Sequence, residues 1–151
     1  MESIGSDAKP VEILLVEDSA GDVRLTREAL KDAKVHVNLH IASDGIEAMA
    51  FLNRDGNHSH VPRPDLILLD LNLPKKDGRQ VLEEIKGNPA LKSIPVVILT
   101  TSASEADILR SYSLHANCYI TKPVDLKGFL DVIKSIDNFW LSVVKLPHVT
   151  C

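Results

Sequence analysis

The sequence has 151 residues, of which 44% are hydrophobic and 25% are charged, and its net charge is −4. This composition is typical of one soluble globular domain and does not favour nucleic-acid binding. No apolar stretch approaches the roughly 18 residues of a membrane span, and residues 1–10 lack the apolar region of a signal peptide. We therefore expect a cytoplasmic protein with a disordered leader at 1–10, a single domain at 11–151, and no membrane or nucleic-acid partner. Cys118, in a predicted buried strand, and Cys151 are expected to be reduced thiols.

Short apolar runs alternate with amphipathic segments along the chain. The run Val11–Val16 predicts a strand, after which Ser19 or Asp18 can cap a helix. In the first half of the chain the predicted elements are, in order, a strand at 11–16, a helix at 21–31, a half-buried strand at 37–41, a helix at 46–52 and a polar loop at 53–64.

The alternation continues in the second half. Leu66–Leu69 is wholly apolar, which is typical of a central parallel strand covered on both faces. The elements after it are a loop at 71–78, a helix with Val81, Leu82 and Ile85 on one face, a strand at 95–99, a helix at 104–114, a strand at 118–120 and a helix from 125 onward. Five β/α alternations with short links predict a parallel sheet with helices on both faces.

Five polar residues lie at the carboxyl ends of predicted strands: Glu17, Asp18, Asp70, Thr100 and Lys122. In open α/β sheets such positions converge on one crevice, so we expect these side chains to meet. Close carboxylates repel one another, and a hard cation such as Mg²⁺ relieves the repulsion. The Lys122 ammonium can pair with Asp70 or with a phosphoryl oxygen, to which Thr100 can also donate. These are the parts of a phosphoryl-transfer site, in which Asp70 is the nucleophile and an activated donor such as phosphohistidine supplies the group.

The ordered motifs resemble the receiver domain of two-component response regulators, over residues 11–136. They are Leu14-Leu-Val-Glu17-Asp18, Leu68-Leu-Asp70-Leu-Asn-Leu-Pro74, Lys76-Asp-Gly78, Pro95-Val-Val-Ile-Leu-Thr100 and Tyr119-Ile-Thr-Lys122-Pro123. The resemblance implies a doubly wound (βα)5 flavodoxin-like sandwich with a parallel five-stranded sheet in the order 2-1-3-4-5.

The resemblance also implies roles for individual residues. Asp70 would be the phosphoacceptor, Thr100 and Lys122 would contact the phosphoryl group, and Tyr119 with Thr100 would form the switch. The implied Mg²⁺ ligands are Glu17, Asp18, Asp70 and the backbone carbonyl of Asn72. The sequence departs from the usual pattern at Glu17, where Asp is commoner, and at Thr101, where a smaller residue is usual.

A closer resemblance is to the stand-alone regulators of cyanobacterial phytochrome histidine kinases. It implies a phytochrome-type kinase as phosphodonor, an unknown downstream protein, and no catalysis beyond self-phosphorylation and self-dephosphorylation.

The C-terminal segment carries two apolar stripes, one of which needs a cover other than the sheet. We expect a homodimer through this helix, and the alternative is that residues 141–151 fold back over it. The stripes are Leu126, Phe129 or Leu130, Ile133 and Trp140, and Val132, Ile136, Phe139 and Val143.

Three other interpretations stay open. A haloacid dehalogenase-like phosphohydrolase would have its nucleophile on the first strand and a second Asp two residues later. Here the first strand ends in Glu17 and Asp18, and the residue two positions after Asp70 is Asn72. A flavodoxin-like FMN carrier needs a Ser/Thr/Gly-rich phosphate cradle, where this chain has Glu17 and Asp18. A phosphorylation-independent adaptor is disfavoured by the intact acceptor set.

Overall fold

The structure is a computed structural model, and it describes residues 10–31, 36–122, 127–128, 131 and 134–135. Its five strands form one sheet and are β1 (Val11–Val16), β2 (Val37–Ala42), β3 (Leu66–Leu69), β4 (Val96–Thr100) and β5 (Cys118–Thr121). All neighbouring strands are parallel, and their order is β2-β1-β3-β4-β5. The predicted parallel sheet and its order are confirmed.

One α-helix follows each of the first four strands. The helices are α1 (Ala20–Leu30), α2 (Gly45–Asn53), α3 (Gly78–Gly87) and α4 (Glu105–Ser113), and a short 3₁₀-helix (Gly56–His58) lies in the loop after α2. Each α-helix begins after a side chain that accepts a backbone N–H of its first turn; these caps are Ser19, Asp44, Asp77 and Ser104. Ser19, and not Asp18, is therefore the cap of α1.

Helices cover both faces of the sheet, as the doubly wound prediction requires. On one face, α2 and α3 pack with alternate strand residues in a buried cluster that includes Leu14, Ala48, Phe51, Ile67, Val81, Ile85 and Ile98. On the other face, Leu30 of α1 packs with Ile13, Leu15, Leu66, Leu68, Val97 and Leu99. Each buried Leu, Ile, Val or Phe side chain of these clusters contributes about 1.5–3 kcal/mol. Because β3 and β4 are buried along their whole length, the residues at their carboxyl ends are held by the core.

Gly78 brings α3 close to the end of β3. A Cβ at this position would lie 2.2 Å from the carbonyl oxygen of Asp70 and 2.6 Å from Cα of Leu71. Only a residue without a side chain allows this approach, so α3 begins directly against the backbone of Asp70 and Leu71.

Some boundaries and burial differ from the predictions. Strand β4 begins at Val96 because Pro95 has no N–H for the ladder. It includes Thr100, which pairs with Thr121 and so extends β5 by one residue. Cys118 is half-buried and not buried, because β5 is the edge strand of the described sheet.

Several predictions concern residues outside the described part of the chain. These are most of the leader, the apolar stripes after 125, the tail and Cys151. Residues 127–128, 131 and 134–135 are helical, as predicted for the segment from 125 onward. Within the described ranges, none of the helices combines the length and apolar character needed to cross a bilayer.

Candidate functional site

The carboxyl ends of β1, β3, β4 and β5 bring the predicted site residues together. The sheet hydrogen bonding continues one residue beyond two strands, since the N–H of Asp70 donates to the Val16 carbonyl at 3.1 Å and that of Lys122 to the Thr100 carbonyl at 2.6 Å. Asp70 therefore lies beside the end of β1, and Lys122 lies beside the end of β4.

Asp70 is buried and its carboxylate accepts three hydrogen bonds. Its Oδ1 accepts from the hydroxyl of Thr100 at 2.6 Å and from the backbone N–H of Asn72 at 3.1 Å. Its Oδ2 accepts from Nζ of Lys122 at 3.3 Å. These donors satisfy the hydrogen-bonding capacity of the buried carboxylate and fix its orientation.

Lys122 connects Asp70 to two further carboxylates. Its Nζ donates to Glu17 and, at 2.8 Å, to Asp22 Oδ2. Burial alone would lower the pKa of Lys122, but the hydrogen bonds to Asp22 and Glu17 outweigh burial and raise the pKa above its ordinary value. The ammonium therefore stays charged, as is needed to bind an anionic group at this position.

Glu17, Asp18 and Asp70 form an acidic cluster in which one carboxylate oxygen from each lies within 4.8 Å of the others. Burial raises the pKa of Glu17 to about 7, although the hydrogen bond from Lys122 acts to lower it; the charge of Asp70 raises it further. The backbone N–H of Ser19 holds Oε2 of Glu17 at 3.1 Å. Grouped carboxylate oxygens that repel one another are the donors a hard divalent cation prefers, so these residues fit Mg²⁺.

Ser102 connects the end of β4 to Tyr119. The Tyr119 hydroxyl donates to the Ser102 carbonyl at 2.8 Å, and the ring packs against the core. The Ser102 N–H makes a long contact of 3.4 Å with Oγ1 of Thr100, and its hydroxyl donates to Asp107 at 2.7 Å. Asp107 is in turn bound by Arg79. Tyr119 thus reaches the acceptor region through Ser102.

Sequence reasoning placed most of these groups and missed others. The structure brings together five predicted residues, Glu17, Asp18, Asp70, Thr100 and Lys122. Asn72 contacts Asp70 through its N–H, whereas the predicted metal ligand is its backbone carbonyl, which stays a prediction. The residues that were not predicted are Asp22, Ser102, Arg79 and Asp107. Asp22 lies 100 positions from its partner Lys122, and Asp107 lies 28 from Arg79, so no local pattern signals either contact.

Comparison with known proteins supports the predicted resemblance to response regulators. The response regulator receiver domain model matches residues 13–134. Response regulator Rcp1 from Synechocystis sp. is 56% identical over 138 residues, which cover 91% of this chain and 94% of that protein. The crystal structure of the Mn(2+)-bound form of Rcp1 has a TM-score of 0.90 and covers 92% of this chain and 100% of its own, at 56% identity. That of the phosphorylated cyanobacterial phytochrome response regulator RcpA also has a TM-score of 0.90, covering 93% of this chain and 100% of its own at 53% identity.

Proposed function

The chain belongs to the response regulator receiver domain family, and we propose that Asp70 is its phosphoryl acceptor. One observation carries this proposal. The buried Asp70 carboxylate accepts hydrogen bonds from Thr100, Asn72 and Lys122 and lies within the acidic cluster with Glu17 and Asp18. A nucleophile, cationic and hydroxyl donors, and a group of metal-type ligands are thereby combined at one point.

The acidic cluster is the proposed Mg²⁺ site. Its ligands would be Glu17, Asp18, Asp70 and the backbone carbonyl of Asn72. The grouping of the three carboxylates supports this assignment, as does the relative Rcp1, whose crystal structure is described as the Mn(2+)-bound form. Bound there, the ion would neutralise negative charge on the phosphoryl oxygens.

Phosphoryl transfer would then be performed by this chain's side chains. An oxygen of Asp70 attacks the phosphorus of a phosphohistidine, the P–N bond breaks, and the departing imidazole nitrogen takes up a proton from water. The ammonium of Lys122 and the hydroxyl of Thr100 donate to phosphoryl oxygens as charge develops on them. The product is an aspartyl phosphate, which water hydrolyses to Asp70 and inorganic phosphate.

The proposed phosphodonor is a histidine kinase of the phytochrome type. The support is the relative RcpA, which is described as a phytochrome response regulator.

The output would be a protein contact in the cytoplasm, governed by Thr100 and Tyr119. The Thr100 hydroxyl donates to Asp70 Oδ1 in the structure, so a phosphoryl group on Asp70 would draw that hydroxyl away and change the contacts of Ser102 and Tyr119. A homodimer through the C-terminal helix remains a prediction about residues outside the described part.

Phosphotransfer from candidate kinases tests the proposal. We expect the wild-type chain to take up one phosphoryl group only when Mg²⁺ is present, from a phytochrome-type kinase and also from acetyl phosphate. Asp70→Asn should take up none, and sizing before and after labelling would report on the dimer. Labelling of Asp70→Asn at the wild-type level would overturn the acceptor assignment. Continuous turnover of small phosphate esters would favour a phosphohydrolase.

A further inference from the structure

The peptide unit between Leu71 and Asn72 is held from both sides. Its N–H, on Asn72, donates to Asp70 Oδ1 at 3.1 Å. Its carbonyl, on Leu71, accepts from the backbone of Gly78 at 3.0 Å and of Leu73 at 3.2 Å, and from Nη1 of Arg79 at 3.3 Å. Rotation of this peptide would move the donor away from Asp70, so groups that hold the carbonyl also position the acceptor carboxylate.

The second donor to Asp70 Oδ1, the Thr100 hydroxyl, is also connected to a charged side chain, through Ser102. The Ser102 N–H contacts Thr100 Oγ1 at 3.4 Å, and the Ser102 hydroxyl donates to Asp107 Oδ2 at 2.7 Å. Asp107 therefore restrains the loop between β4 and α4, which follows Thr100 directly. Both hydrogen bonds to Asp70 Oδ1 are backed by a charged side chain of another element.

Arg79 and Asp107 are bound to each other. Nε and Nη2 of Arg79 donate to the two carboxylate oxygens of Asp107 at 2.7 and 2.6 Å, which is the paired geometry that the guanidinium favours. Their side chains are 29% and 15% exposed, so water screens the pair only partly. Arg79 lies in the first turn of α3, and Asp107 in the first turn of α4.

We propose that the Arg79–Asp107 pair positions the Asp70 carboxylate for phosphoryl transfer, by holding the Leu71–Asn72 peptide on one side and the Ser102 loop on the other. This inference rests on the proposed function. The two residues touch neither the acceptor nor the acidic cluster in the described contacts, and they act through Asn72, Ser102 and Thr100. Loss of either member should therefore slow transfer without weakening Mg²⁺ binding.

Labelling from acetyl phosphate at saturating Mg²⁺ separates positioning from stability. We expect Asp107→Asn and Arg79→Gln each to lower the labelling rate constant about tenfold, because small misplacements of a reacting group cause losses of this size or more. The Mg²⁺ concentration for half-maximal rate should stay within about twofold of wild type. The double variant should be no slower than the slower single variant, since the two residues act as one unit. If either variant fails to fold, Arg79→Lys, which keeps the charge without the fork, carries the same expectation.

Glu83→Gln is the matched control. Glu83 pairs with Arg110 at 3.9 Å and so joins the same two helices, α3 and α4, but reaches neither loop. This variant should label at the wild-type rate. Wild-type rates in both folded single variants, or losses that multiply in the double variant, would overturn the positioning role. Absence of label on the wild-type chain, or label on Asp70→Asn, would instead overturn the acceptor assignment on which it rests.

Discussion

Asp107 shows how strongly one carboxylate depends on its neighbours. The hydrogen bond from Arg79, followed by that from Ser102, lowers the pKa of Asp107 from 3.8 to about 2. A carboxyl whose pKa falls on folding stabilises the protein above its unfolded pKa, and this contribution is lost as the pH falls through the folded pKa. Wild type should therefore exceed Asp107→Asn in stability by up to about 1 kcal/mol at about pH 5. The difference should shrink as the pH falls from about 4 towards about 2.

Urea unfolding of both proteins at several pH values measures this difference. Glu83→Gln is again a suitable control, because its exposed partner Arg110 lies 3.9 Å away and contributes little. A gap between wild type and Asp107→Asn that stayed constant down to about pH 2 would contradict the assigned pKa.

Single residues of the site differ in how far the sequence reveals them. Asp70 and Lys122 follow strands directly, so sheet geometry alone places them near each other. Asp22 is different, because it belongs to the first turn of α1 and reaches Lys122 by side-chain length. The approach of Tyr119 to Ser102 also depends on how a loop closes. Contacts of this kind follow from tertiary packing, which local patterns do not encode.

At the scale of one element, helix α3 allows a test of whether its close approach to β3 at Gly78 is required. Gly78→Ala would place Cβ at 2.2 Å from the Asp70 carbonyl oxygen, so the start of the helix must move away from β3. Alanine improves helix propensity by up to about 1 kcal/mol, but forcing atoms into a packed site typically destabilises by about 1–3 kcal/mol. We expect a net loss of stability in urea unfolding, together with slower labelling, because Asp70 and Leu71 would be displaced.

The same helix supplies the control. Gly87 is the last residue of α3, and a Cβ there would meet nothing within 4 Å. Gly87→Ala should leave labelling unchanged and stabilise the protein by up to about 1 kcal/mol. Equal effects of the two substitutions would show that propensity, and not the close approach at Gly78, determines the outcome.

The existence and order of the elements could be predicted better than their ends. The apolar runs of β3 and β4 are unambiguous because both faces of these strands are covered. The carboxyl-terminal ends of β4 and β5 lie one residue beyond the predicted ends. The reason is that pairing between Thr100 and Thr121 depends on the register of the two strands, which no single strand specifies. The sequence Asp-Gly at 44–45 and 77–78 marks helix starts, but the close approach that makes Gly78 necessary is visible only in three dimensions.

At the scale of the whole molecule, the fold gathers negative charge at the carboxyl ends of its strands. The ammonium of Lys122 contacts Glu17, Asp22 and Asp70, and Asp18 lies in the acidic cluster with two of them. The chain as a whole has a net charge of only −4. Like charges held close together oppose folding, and the raised pKa of Glu17 reflects both its burial and the nearby Asp70. The site is thus a source of instability that the buried core must offset.

Folding should therefore be linked to divalent cations. A ligand that binds only the folded chain stabilises it by RT ln(1 + [L]/Kd), which is about 2.7 kcal/mol at a hundredfold excess over Kd. We expect Mg²⁺ to raise the unfolding midpoint of wild type after chelator treatment. Asp18→Asn should be slightly more stable than wild type without the cation, because a repelling charge is lost, and should gain less from Mg²⁺. Glu83→Gln, which removes the same charge far from the cluster, should keep the full gain. Identical unfolding curves of wild type with and without Mg²⁺ would contradict the proposed site, because a cation that relieves the repulsion must also stabilise the fold that creates it.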